Sequence, residues 1–99
     1  GLPNSASTPE LQLATAEGEN FTLVERLQRE GRFADAREIV TIDGVRAEYD
    51  DGFGLARASN TTPVVVLRFE ADDTAALEAI QTTFRRAIDD VWPGLRLPF

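Results

Sequence analysis

The chain has 99 residues, 17 acidic and 10 basic, for a formal net charge of −7. It has no His, Cys, Met or Lys, so every basic residue is Arg; this excludes His-based triads, thiolate nucleophiles, disulfides, Cys/His zinc sites, Schiff bases and phosphate-loop lysines. A pI near 4.4 argues against nucleic acids and anionic membranes, which need a dense basic face, while a 42% hydrophobic share suits one ordinary domain.

Residues 1–9 read as a linker or a cleavage scar, rich in Pro, Ser and Thr and free of charge until Glu10. Leu11 and Leu13 suggest a short strand, followed by a turn at Gly18 to Asn20. Thr22 and Glu25 match a capping box, with Asn20 as a competing cap. Leu23, Val24 and Leu27 then give a helical stripe, and Gly31 fits the left-handed position after a helix.

Glu38 to Ile42 is β-rich and leads into Asp43-Gly44, the pair that type I′ hairpin turns favour. Val45, Ala47 and Tyr49 alternate with charged residues, as a half-buried strand does. Asp50-Asp51-Gly52 predicts a second turn. In the strand Phe53 to Ala58, one side carries only Gly54, Ala56 and Ala58, which allows close packing. Val64 to Phe69 reads as a central strand. Asp72-Asp73-Thr74 opens the last helix, Leu77, Ile80, Phe84, Ile88 and Val91 form its stripe, and Trp92-Pro93-Gly94 stops it. The order β-α-β-β-β-β-α predicts an α+β fold, an antiparallel sheet packed by two helices.

The stretch Arg57-Ala-Ser59-Asn60-Thr61-Thr62-Pro63 concentrates donors and has no acid. A guanidinium forks onto phosphate or carboxylate oxygens, and hydroxyls with inward-facing N–H groups at Ser59 to Thr61 would complete a cradle. The plainer reading is a polar hairpin loop, with Arg57 as an ordinary exposed strand residue. Arg68 sits on a strongly apolar strand, where burial would demand a partner: a bound anion, or an acid such as Glu48 or Glu70. The pairs Asp50-Asp51, Asp72-Asp73 and Asp89-Asp90 read as turn and cap residues, because adjacent carboxylates rarely converge on one metal or proton. No metal site is expected in this chain.

The loop, with Asp43-Gly-Val and Gly52-Phe-Gly-Leu before it and Val-Val-Val-Leu-Arg-Phe-Glu-Ala after it, resembles the C-terminal domain of bacterial phosphomannomutase/phosphoglucomutase, a branch of the α-D-phosphohexomutases. The likeness runs from about Leu11 to the closing Leu-Pro-Phe, so residues 10–99 are expected to form that domain. It implies a TATA-binding-protein-like sheet packed by helices. It implies that Arg57, Ser59, Asn60 and Thr61 hold the phosphate of a phosphosugar that is not reacting, with Arg68 a possible support. The partners implied are glucose or mannose phosphates, their bisphosphate and the other domains of a cytoplasmic enzyme. Mg²⁺ and a phosphoserine are implied in that parent enzyme and not in this chain.

The family's serine loop with its His, its Asp-Gly-Asp-Gly-Asp metal loop and its sugar-binding serine are all missing here. Together with the missing Met, this leads to the expectation of a catalytically inert fragment, monomeric by its acidic balance. The alternative is a stand-alone anion-binding regulatory or interaction module without catalysis.

Overall fold

The computed structural model describes residues 5–99. In chain order the elements are β1 (Ala6–Ser7), β2 (Leu11–Ala14), α1 (Glu19–Glu30), β3 (Glu38–Val40), β4 (Val45–Tyr49), β5 (Gly52–Ala58), β6 (Val64–Ala71) and α2 (Thr74–Val91). All the strand pairs are antiparallel. The sheet runs β1-β6-β5-β4-β3, and β2 joins β1 along the same side of β6. The α+β class and the two helices agree with the sequence reading. One strand was not expected: Ala6 and Ser7, inside the stretch read as a linker, pair with Ala71 and Glu70. Residues 1–4 of that stretch lie outside the described residues.

Strand alternation decides which face the helices cover. Val65, Leu67, Phe69 and Ala71 of β6 are buried, as are Val45, Ala47 and Ala56. Against them pack Leu23, Val24 and Leu27 of α1 and Ile80, Phe84 and Ile88 of α2. Phe84 lies at the centre. Its ring stands edge-on to Phe69 at 5.2 Å and tilts against Phe33 at 4.8 Å. Gly54 lets this ring reach the sheet, because a Cβ there would run into it. The small-residue side of β5 therefore does what its composition implies.

Helix ends follow local chemistry in one case and depart from it in the other. Asp73 caps α2, its Oδ1 accepting from the Ala76 N–H at 2.8 Å. The capping box expected at Thr22 and Glu25 does not form. α1 starts earlier, after Gly18 in the left-handed region (φ 81°), with no side chain capping it. Gly31 ends α1 in an extended conformation, not a left-handed one, while its N–H bonds Leu27 O at 3.0 Å.

The turn at Asp43-Gly44 is also not type I′. That turn needs positive φ at both residues, and only Gly44 has it (φ 77°). The connection from β3 to β4 spans residues 41–44, and Gln28 of α1 pins it by donating to Thr41 O (3.2 Å) and Gly44 O (3.0 Å).

Candidate functional site

The donor-rich loop joins β5 to β6 at one end of the sheet. Ser59 N–H bonds Val64 O at 3.0 Å and closes the hairpin. The Ser59 hydroxyl oxygen sits at the centre of the loop. It accepts from Thr61 N–H (3.2 Å), Thr62 N–H (3.3 Å) and the Thr62 hydroxyl (3.2 Å), and lies 3.3 Å from Thr61 Oγ1. This corrects one expectation. The Ser59 and Thr61 N–H groups are committed within the loop, so consecutive amides do not converge as an anion nest.

The loop is fastened from behind by a residue the sequence reading misassigned. Asn20, 1% exposed, donates from Nδ2 to Ser59 O (3.0 Å), Val64 O (3.1 Å) and Thr62 O (3.3 Å). Its Oδ1 is buried and has no hydrogen-bond partner among the described residues. Asn20 is inside α1, not its cap. The signal was available: Asn20, Leu23, Val24 and Leu27 fall at helical spacing on the buried stripe, and Asn20 is its one polar member. A second tie comes from the end of β2. Thr15 N–H bonds Pro63 O at 2.9 Å, and its hydroxyl also reaches that oxygen at 3.1 Å. Two elements thus hold the loop's carbonyls, while Asn60 and Thr61 stay exposed.

Arg57, Ser59, Asn60 and Thr61 line one open cleft of about 870 Å³. Arg57, the penultimate residue of β5, lies on the face away from the helices, opposite Val66. Its guanidinium is half-exposed and has one ion-pair partner among the described residues, Asp43, at 3.6 Å. Such an exposed pair contributes about 0–1 kcal/mol and exchanges readily for a stronger acceptor. The opposite wall comes from α1, with Phe21, Val24, Glu25 and Gln28; Glu10 and Gln12 border it as well. The loop is acid-free in sequence, yet the fold brings Glu10, Glu25 and Asp43 to the same cleft.

Arg68 stands apart from this group. It is exposed on the outer face of β6, opposite Leu55, and does not line the cleft. The expectation of a buried arginine fails because alternation along β6 turns Arg68 away from the helices. Among the described residues it has no ion-pair partner, so neither Glu48 nor Glu70 serves it.

Asp50 and Asp51 link Tyr49 to Gly52 across the β4–β5 turn, and Asp73 is the α2 cap. Asp89 and Asp90 depart from the turn-and-cap expectation: both lie exposed inside α2, in its last turn. Among the described residues no three carboxylates gather to hold a metal ion.

The family model for the phosphoglucomutase/phosphomannomutase C-terminal domain matches residues 10–87. The chain belongs to this family. It is 53% identical over 97 residues to the phosphoglucomutase of Neisseria gonorrhoeae, covering 93% of this chain and 21% of that protein. It is 47% identical over 98 residues to the phosphomannomutase/phosphoglucomutase of Pseudomonas aeruginosa, covering 99% of this chain and 21% of the relative. A crystal structure of a phosphoglucomutase/phosphomannomutase family protein from Burkholderia thailandensis superposes with a TM-score of 0.87 at 59% identity, over 99% of this chain and 20% of that one. The chain therefore spans about a fifth of the length of these relatives.

Proposed function

We propose that this domain anchors the non-reacting phosphate of a phosphosugar in a cytoplasmic phosphohexomutase. The parent enzyme would interconvert the 1-phosphates and 6-phosphates of glucose or mannose, and this domain would help close its active-site cleft. The observation that carries the reading is the placement of Arg57, Ser59, Asn60 and Thr61 along one cleft. Their loop is held from behind by Asn20 and Thr15. A loop already fixed loses little entropy when it takes up a ligand.

Arg57 supplies the charge. A charge-assisted hydrogen bond from a guanidinium contributes about 1.5–3 kcal/mol. The Asn60 amide and the Thr61 hydroxyl add neutral donors, and Ser59 shapes the loop around its own oxygen. Anchoring a group remote from the reacting one accelerates the reaction by positioning, since the bound phosphate fixes the sugar relative to the chemistry elsewhere. The Mg²⁺ implied by the family does not fit this chain, where no three carboxylates converge among the described residues; it and the phosphoserine belong to the remainder of the parent protein on this reading. The isolated domain is then inert and binds sugar phosphates at about millimolar Kd or weaker, near −4 kcal/mol.

The test is an amide-shift titration with glucose 1-phosphate. Residues 57–61 should shift together at millimolar ligand. Shifts elsewhere, with this loop unmoved at tens of millimolar, would refute the assignment. In the parent enzyme Arg57→Ala should mainly raise KM, and unchanged kinetics would remove its role.

A further inference from the structure

The phosphate reading leaves the α1 wall of the cleft without a task. Phe21 is 51% exposed, a large apolar ring left open to water although α1 buries Leu23, Val24 and Leu27. Single exposed apolar residues are common and need no explanation. Phe21 differs in its place, because it lines the same cleft as Arg57 and the 59–61 loop. It is also fixed relative to that loop, since Asn20, its chain neighbour, holds three of the loop's carbonyls.

The polar groups around it point to the kind of ligand. Glu25, one turn along α1 from Phe21, and Glu10, from the segment before β2, line the same cleft, and Asp43 lies 3.6 Å from Arg57. Carboxylates repel a ligand that is anionic throughout. They accept hydrogen bonds from hydroxyl groups. An aromatic ring offers a flat apolar surface that suits the C–H face of a pyranose, as apolar walls with a few placed polar groups suit small ligands generally.

We propose that Phe21 is a positioning residue that packs against the sugar ring, so that the cleft prefers a phosphosugar to phosphate itself. The proposal rests on the phosphate-anchoring reading and adds the subsite for the carbon skeleton. Glu10 and Glu25, which line the same cleft, accept hydrogen bonds from the sugar hydroxyl groups.

The experiment compares inorganic phosphate with glucose 1-phosphate by amide-shift titration of the 99-residue chain at fixed salt and pH. The wild type should bind glucose 1-phosphate more tightly than phosphate. Phe21→Ala should reduce that preference by about three- to tenfold, the range expected for one aromatic packing contact. Its phosphate affinity should not change, and Phe21→Trp should keep the preference. A preference unaltered in Phe21→Ala, with phosphate still moving residues 57–61, overturns the role of Phe21 and leaves the phosphate site standing. If neither ligand moves residues 57–61, the phosphate site itself is refuted and the sugar subsite falls with it.

Discussion

Replacing Asn20 by Asp keeps the shape of the side chain and exchanges its amide donor for an oxygen. The amide of Asn20 faces Ser59 O at 3.0 Å, Val64 O at 3.1 Å and Thr62 O at 3.3 Å. A carboxylate there would meet three carbonyl oxygens at 1% exposure, with no cation among its contacts. An uncompensated buried charge costs about 3–5 kcal/mol. Asn20→Ala removes the donors without adding charge; Val64 O keeps the Ser59 N–H and Thr62 O keeps the Val64 N–H, so Ser59 O is the acceptor left without its donor, at a cost of about 1–3 kcal/mol. Both are large against a total stability of about 5–15 kcal/mol. Urea unfolding followed through Trp92, the only tryptophan, measures them. With a slope of about 2 kcal/mol/M, the midpoint should fall by roughly 1.5–2.5 M for Asn20→Asp and roughly 0.5–1.5 M for Asn20→Ala.

The Asn20→Asp variant should also respond to pH. Burial raises the introduced carboxyl above its unfolded value of about 3.9, so the folded state binds the extra proton. The deficit is then smallest below about pH 4 and grows as pH rises through the folded value. A loss under 1 kcal/mol in both variants, with the amide shifts of residues 59–64 unchanged, would refute the claim that Asn20 holds the loop.

Three other substitutions and titrations probe separate parts of the fold. Gly54→Ala drives a methyl into the Phe84 ring and should cost about 1–3 kcal/mol in the same urea assay. Asp43→Asn removes the negative charge that competes for Arg57 and should tighten inorganic phosphate binding about two- to fivefold in a titration at low salt. Tyr49, the only tyrosine, should titrate at about 12 by ultraviolet absorbance, held up by burial and then by the Asp35 carboxylate. The nearby Thr83 hydroxyl donates to Ala79 O instead, so among the described residues the phenol oxygen has no hydrogen-bond partner to offset this. The sign is that of a raised acid: the stability Tyr49 contributes is intact below its ordinary value near 10 and is lost as pH climbs towards about 12. A midpoint near 10 would contradict the burial.

Elements with long one-sided patterns were legible in the sequence, and elements fixed by partners were not. α2 declared itself through five apolar residues at helical spacing and an aspartate cap, and β6 through a near-continuous apolar run broken at Arg68. β1 is two residues, Ala6 and Ser7, with no pattern of their own; the edge of β6 defines it. The loop at 41–44 contains a favourable turn pair, yet Gln28 sets its shape from a helix earlier in the chain. The β5–β6 loop was found because its donors are contiguous. Asn20 reads as a competing cap because the local preference for asparagine at helix ends outweighs its place on the buried stripe.

The same distinction bears on the electrostatics of the cleft. Reading along the chain, residues 57–63 look like a positive site, with Arg57 and no acid. In space, Arg57 shares its cleft with Glu10, Glu25 and Asp43, so these groups carry two more negative charges than positive. Such a cleft does not concentrate anions by its field. On the phosphate-anchoring proposal, any attraction for a phosphate would come from short-range donors on a fixed loop, which alone is weak. A ligand that also brings hydroxyl groups turns the surrounding carboxylates from repulsive neighbours into acceptors. On the phosphosugar reading, the acids that weaken the site for a bare anion select for the substrate that carries one.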